Sequence, residues 1–206
     1  MLALFHGALL AIGLILPLGV QNVFVFNQGA TQRSFLYALP AVITASLCDT
    51  LLISLAISGV SLLIFQILWL KPIVLLIGSF FLLYMGWTIW RTTTSTKTEK
   101  KTPLSIKEQI GFALSVSLLN PHAILDTIGV IGTSSIVYEG TEKFLFTIGC
   151  IFISWIWFFT LALTGRALGK LDTSTKLLKR INYLSAIIIW VIAFTLFYQL
   201  IREAIL

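Results

Sequence analysis

Two acidic side chains stand apart from the other acids of this chain. Asp49 and Asp126 lie deep within long apolar stretches, whereas six others occupy loops or helix ends: Glu99, Glu108, Glu139, Glu142, Asp172 and Glu203. An ionised carboxylate at the centre of a bilayer costs at least about 2.5 kcal/mol, and no Lys or Arg lies comparably deep. The pair therefore indicates protonation or a cationic ligand. The structural alternative is hydrogen bonding to Asn22, Gln21 or Thr127.

Prolines interrupt two of the apolar stretches at matching positions. At an offset of 104 residues, PLGVQN at 17–22 aligns with PHAILD at 121–126, which pairs Asn22 with Asp126. Proline removes a helical N–H donor, and backbone groups freed in lipid must be satisfied by protein, water or a ligand. We interpret four residues as helix breaks beside a cavity: Pro17, Gly19, Asn120 and Pro121. A packing kink at each proline is the alternative.

Three more side chains of these stretches have two interpretations each. His122 is either a proton relay or a histidine at a helix end or membrane interface. Cys48 and Cys150, 102 residues apart, are either small apolar side chains or the pair of a thiol–disulfide electron carrier. Such a carrier is expected to place its cysteines beside the helix-breaking prolines, and here neither cysteine neighbours one. Two cysteines form no metal-site pattern, so we expect neither a metal nor a cofactor.

Composition requires that membrane-spanning helices position these residues. Hydrophobic types make up 58% of the 206 residues and charged types 11%, and the mean hydropathy is +0.99. A soluble domain has about 25% charged residues, so a soluble enzyme is excluded, as is a disordered chain. The net charge of +6 comes from basic residues in short segments between apolar runs. That pattern is typical of a membrane protein and argues against a nucleic-acid partner.

Six apolar stretches are long enough to cross a bilayer as helices, which needs about 20 residues. They run roughly over 2–26, 35–58, 72–90, 110–136, 144–165 and 181–201. The stretch 61–70 is too short to cross, and we interpret it as interfacial or re-entrant. The first basic residue is Arg33, so the first stretch lacks the basic start of a secretory signal and is expected to be retained.

The hydrophilic linker 91–109 divides a single membrane domain into two three-helix halves, 1–90 and 110–206. Because three crossings are odd, the second half must be inverted relative to the first. The sequence predicts an all-α fold of two inverted repeats with broken helices 1 and 4, the pattern of a secondary transporter. Loops 1, 3 and 5, the segments that follow the first, third and fifth predicted helices, carry eleven Lys and Arg, and the opposite side carries three. The basic loops 3 and 5 are therefore expected in the cytoplasm, with both termini outside the cell membrane.

Two motifs and one acid resemble a known family. ILPLGVQNVFVFNQG at 15–29 resembles the first-helix signature of the LysE-type lysine and arginine exporters. LNPHAILDT at 119–127 resembles their fourth-helix signature, and Asp49 stands where the family carries its helix 2 aspartate. The resemblance covers almost the whole chain. The Gln21-Asn22 form resembles the basic-amino-acid branch, although Val20 replaces the proline often found before it; homoserine and threonine exporters carry a Pro-Gly-Pro motif.

The resemblance implies a transporter, not an enzyme, that exports lysine or arginine with the proton gradient. In our interpretation Asp49 and Asp126 attract the cationic group, while Gln21 and Asn22 bind and orient the substrate carboxylate. Protons and the lipid bilayer are then its other partners. Alternatives are export of another amino acid, export of a divalent cation such as cadmium, and a structural subunit without transport. The oligomeric state is also left open. Residues 165–169 have the Gly-xxx-Gly spacing of helix contacts, which would allow a homo-oligomer.

Overall fold

All the secondary structure in the described part of the chain is helical. The computed structural model describes residues 1–16, 19–59, 70–94, 103–171 and 176–205. Its elements are α1 (Leu2–Ile15), α2 (Val20–Thr31), α3 (Phe35–Ile57), α4 (Leu70–Thr94), α5 (Ile106–Leu118), α6 (Pro121–Asp126), a π-helix (Thr127–Gly132), a 3-10 turn (Ser135–Val137), α7 (Gly140–Leu171) and α8 (Lys176–Ile205). The prediction of an all-α protein is confirmed.

Two described helices are long and apolar enough to cross a bilayer, Phe35–Ile57 and Gly140–Lys170. The pair α1 and α2 also passes as a single span, bent by 82°. By length and composition, the described residues therefore contain up to three such spans, and the count of six stays a prediction. The interfacial stretch expected at 61–70 lies outside the described residues except for Leu70, which begins α4.

The first break separates α1 from α2. Helix α1 ends at Ile15, and α2 begins at Val20 after Gly19, whose backbone is extended. Pro17 lies outside the described residues. The Asn22 side-chain amide donates to the Ile15 carbonyl oxygen at 2.7 Å. The first turn of α2 thus supplies the donor that the last turn of α1 lacks, as lipid requires of an interrupted helix.

The second break separates α5 from α6. Helix α5 ends at Leu118, and α6 begins at Pro121, a position where proline costs no hydrogen bond within the helix. The Asn120 carbonyl accepts from the Ile124 amide at 3.1 Å and starts the new helix. Directly after Asp126 the backbone widens into the π-helix. Widened turns of this kind are often found at functional sites.

Helix α7 is central to the packing. It contacts α1, α2 and α3, while α3 also contacts α5 and the π-helix, and α4 pairs with α8. Glycines bring α7 close to the first broken helix: a Cβ on Gly165 would collide with the Phe26 carbonyl, and one on Gly169 would lie 2.6 Å from the Ala30 oxygen. The Gly-xxx-Gly spacing considered for an oligomer is therefore used inside this chain.

Candidate functional site

A cavity of about 160 Å³ lies between the two helix breaks. Its wall comes from α1, α2, α3, α4, the segment around Asn120, α6, the π-helix and α7. Seven polar side chains line it: Gln21, Asn22, Asp49, Asn120, Asp126, Thr127 and Ser154. The structure thus brings together the four residues that the sequence predicted for substrate binding. Gly19 and Asn120, predicted at the breaks, lie on the same wall.

Asp49 is held from two sides. The Gln21 Nε2 donates to Asp49 Oδ1 at 3.0 Å, and the Ser154 hydroxyl donates to Asp49 Oδ2 at 2.8 Å. The acid lies on α3, and its donors lie on α2 and α7, so three helices meet at one carboxylate. Hydrogen bonding to Gln21 was the structural alternative raised for this acid. Because each carboxylate oxygen has two acceptor sites, these bonds are compatible with binding a cation as well.

Asn22 is buried, and both ends of its amide are engaged. Its Nδ2 donates to the Ile15 carbonyl, and its Oδ1 accepts from Trp157 Nε1 at 3.3 Å. Trp157 lies on α7, one turn beyond Ser154. The Ile15 carbonyl at the end of α1 and the Trp157 indole of α7 therefore fix the orientation of the Asn22 amide.

Asp126 lies at the junction of α6 and the π-helix and faces the same cavity as Asp49. Among the described residues that line this cavity, two are acidic and none is basic. Such a wall attracts positive charge, and a low-dielectric cleft strengthens that attraction. The geometry suits a ligand that carries at least one cationic group.

The structure describes only some of the side chains of the remaining predicted residues. His122 and Pro121 belong to α6, but their side chains lie outside the described part of the structure. Cys48 and Cys150 are both free and buried thiols. Cys150 lines the cavity, with its Sγ 3.3 Å from the Gly7 carbonyl oxygen. Within the described residues, no three His, Cys, Asp or Glu side chains group as metal ligands would.

Sequence reasoning missed Ser154 and Trp157. A serine within an apolar helix can bond a carbonyl of its own helix, and tryptophan is common in membrane proteins, so neither residue stands out on its own. A weak signal exists in the spacing, since Cys150, Ser154 and Phe158 follow at intervals of four residues and share one face of α7. All three line the cavity.

Comparisons with known proteins identify the relatives of this chain. The model of the family described as LysE type translocator matches residues 12–200. The "Putative amino-acid transporter YisU" of Bacillus subtilis (strain 168) is 53% identical over 191 residues, 93% of this chain and 87% of that protein. The arginine exporter proteins ArgO of Salmonella paratyphi A (strain ATCC 9150 / SARB42) and Salmonella typhi are each 37% identical over 205 residues, 98% of this chain and 94% of theirs.

No solved structure matches this chain. The family match covers most of the sequence, and the relatives align over nearly their full length. The apolar helices are those of a membrane protein, and the relatives are named for amino-acid transport and export. The chain belongs to the LysE family of amino-acid translocators.

Proposed function

We propose that this protein exports a basic amino acid, arginine or lysine, out of the cell through the cavity between its two helix breaks. The observation that carries the proposal is the cavity wall, which holds Asp49 and Asp126 and, among its described residues, no basic side chain. The ArgO relatives, named as arginine exporters, add support because they align with 98% of this chain.

The two ends of an amino acid have different partners in this cavity. The cationic group faces Asp49 and Asp126, because their charges are the only ones among the described lining residues. The carboxylate faces the start of α2, where Gly19, Val20 and Gln21 line the wall. The first N–H groups of a helix have no partner within it and carry partial positive charge, so they suit an anion. Discontinuous helices hold substrate carboxylates in this way in other transporters.

Exchange with protons is the coupling that the site supports best. Moving a cation out of a negative-inside cell costs about 2.3 kcal/mol per charge per 100 mV. An acid that binds the substrate cation in one conformation and a proton in the other would return one proton per cycle. Asp49 and Asp126 both line the cavity and are the acids available for this exchange.

The packing supports an inverted repeat and alternating access. The first broken helix, α1 with α2, contacts α7, the long helix of the second half. The second broken helix, α5 with the π-helix, contacts α3, the long helix of the first half. The last helices of the two halves, α4 and α8, contact each other. A two-fold axis that exchanges the halves requires this set of contacts, and rocking one half against the other would open the cavity to alternate sides.

Contacts between loops support the proposed orientation. Arg166, at the end of α7, donates to the carbonyl oxygens of Gln32 and Arg33 in loop 1 at 3.4 and 3.3 Å. Gln32 Nε2 in turn donates to the Leu104 carbonyl in the linker at 3.0 Å. Loop 1, loop 3 (the linker) and the last part of α7, which leads into loop 5, therefore meet at one end of the protein. These loops carry most of the Lys and Arg, which favours the cytoplasm for that end.

Efflux from loaded cells tests the proposal. Cells that lack their own basic-amino-acid exporters are preloaded with labelled arginine or lysine, with and without this protein. We expect faster loss of label when the protein is present, and slower loss when the proton gradient is dissipated. Labelled threonine and cadmium serve as comparison substrates. Efflux of either one without efflux of arginine or lysine would contradict the proposal.

A further inference from the structure

Ser154 occupies a special position in the cavity wall. It is fully buried on α7, lines the cavity, and donates its hydroxyl to Asp49 Oδ2 at 2.8 Å. No motif of the sequence includes it. The hydroxyls of Thr160 and Thr164, further along α7, instead donate to carbonyl oxygens of α7 itself. The Ser154 hydroxyl, by contrast, donates its hydrogen bond to an acid of another helix.

The contact restricts the rotation of the Asp49 carboxylate. Gln21 holds Oδ1 from α2 and Ser154 holds Oδ2 from α7, so a rotation about the last side-chain bond breaks at least one hydrogen bond. Hydrogen bonds to an ionised acceptor are about twice as strong as those between neutral groups. An acid fixed in this way presents the same acceptor directions to each incoming substrate, which avoids the entropy cost of ordering it on binding.

We propose that Ser154 is a positioning residue for substrate: it orients the Asp49 carboxylate so that the cationic group of arginine or lysine meets it on entering the cavity. This inference rests on the proposed function and deepens it, since it assigns part of the affinity for the cation to a residue of the second half. Ser154 acts through Asp49, and its removal should weaken binding while leaving the acid, and hence the transport step, in place.

Inside-out membrane vesicles separate affinity from rate, because the cytoplasmic face is then exposed to known concentrations of labelled arginine. For Ser154→Ala we expect a KM about 10-fold higher at an unchanged maximal rate, the size expected for one lost hydrogen bond to a charged group. Ser154→Cys keeps a similar shape and a weak donor, so its KM should lie between those of the wild type and Ser154→Ala.

Ser115→Ala is the matched control, because the Ser115 hydroxyl donates to the Gly111 carbonyl of its own helix and does not line the cavity. It should leave KM unchanged. All variants are compared at equal abundance in the membrane. Ala at 154 is smaller than Ser, so it creates no clash at this buried site.

The outcomes distinguish the inference from the function on which it rests. Normal arginine transport by the wild type with an unchanged KM in Ser154→Ala would overturn the positioning role and leave the export function intact. A loss of maximal rate at an unchanged KM would also overturn it, because that result indicates a role in the conformational change. Wild-type vesicles that transport neither arginine nor lysine would overturn both proposals together.

Discussion

The two interruptions of helical structure, before α2 and before α6, lie at motifs that align in the sequence at an offset of 104 residues. Yet the side chain that follows and lines the cavity is an amide at one and an acid at the other. At the first break, Asn22 donates to the Ile15 carbonyl and satisfies the end of α1. At the second break, the backbone of Asn120 starts α6, and Asp126 stands at the beginning of the π-helix. Asn22 and Asp126, which align in the sequence, therefore have different roles.

This difference indicates how a broken helix can serve both structure and binding. A carbonyl at the end of a helix in lipid needs a donor, which an amide provides and an ionised carboxylate cannot. The first break has such an amide in Asn22, whereas Asp126 brings negative charge to the same cavity. Substitutions that make residues 22 and 126 both amides, or both acids, remove this difference.

The largest expected effect comes from making both positions amides. Asp126→Asn keeps the size of the side chain and removes its charge. If this acid binds the cation or carries the coupling proton, arginine efflux should fall to the level of cells without the protein, at normal membrane abundance. Asp49→Asn should act in the same way. Glu139→Gln, at an exposed acid, is the matched control and should transport normally. Normal efflux by either variant would remove that acid from the mechanism.

A second effect follows from making both positions acids. Asn22→Asp, when ionised, leaves the Ile15 carbonyl without its donor and adds a third acid to the cavity. We expect less protein in the membrane and lower arginine efflux, because a buried group without its partner lowers the free energy of unfolding by about 1–3 kcal/mol. Abundance and efflux are measured together. An Asn22→Asp protein with wild-type efflux would show that the break needs no donor from residue 22.

A third, smaller effect contrasts the packing of the two broken helices. A Cβ on Gly29 of α2 would collide with the Ala162 carbonyl of α7, whereas a Cβ on Gly129 of the π-helix has nothing within 4 Å. Gly29→Ala should lower the free energy of unfolding by about 1–3 kcal/mol, the usual cost of overpacking. Gly129→Ala should be close to neutral. Thermal unfolding of the purified variants checks this, and equal losses would contradict the contrast.

The smallest effect concerns the helix starts. Ser105 and Glu108 form a capping box at α5, whereas α1 begins without a side-chain cap. The backbone N–H and hydroxyl of Ser105 hold the pKa of Glu108 below its usual value. The bonds to the Glu108 carboxylate therefore stabilise α5 above the ordinary glutamate pKa and are lost as the pH falls through the lowered one. The Ser105 Oγ also accepts from the Glu108 backbone N–H, a bond that does not titrate. Ser105→Ala should slightly lower the melting temperature at neutral pH and lower it less in acid.

Ser34→Ala is the control for that experiment, because Ser34 precedes α3 and its side chain caps nothing. Its melting temperature should equal that of the wild type at both pH values. A drop of the same size in Ser34→Ala, or a Ser105→Ala effect that is no smaller in acid, would contradict the role given to the cap.

The sequence alone predicted that Asp49, Asp126, Asn22 and Gln21 would meet, because charges and amides in apolar helices rarely face lipid. The structure places all four on one cavity. Positions that depend on tertiary contacts were harder to foresee. Ser154 binds Asp49 only because α7 packs against α3, and the four-residue spacing around Ser154 does not indicate that partner.

Helix ends show the same limit. The first broken helix was expected to end near residue 26, where polar residues follow, yet α2 continues to Thr31. The reason is that Gln28 is buried and accepts from Gln32 Nε2 at 3.1 Å, so a polar side chain is satisfied within the protein. A count of apolar residues treats such a glutamine as the end of a span.

Binding of labelled arginine to the purified protein tests the proposed substrate site, because it requires neither a gradient nor a complete transport cycle. We expect saturable binding by the wild type that excess lysine displaces. We expect no measurable binding by the double variant Asp49→Asn/Asp126→Asn, and normal binding by Glu139→Gln. Saturable arginine binding that persists in the double variant would show that the cation is held elsewhere than in the cavity between the two breaks.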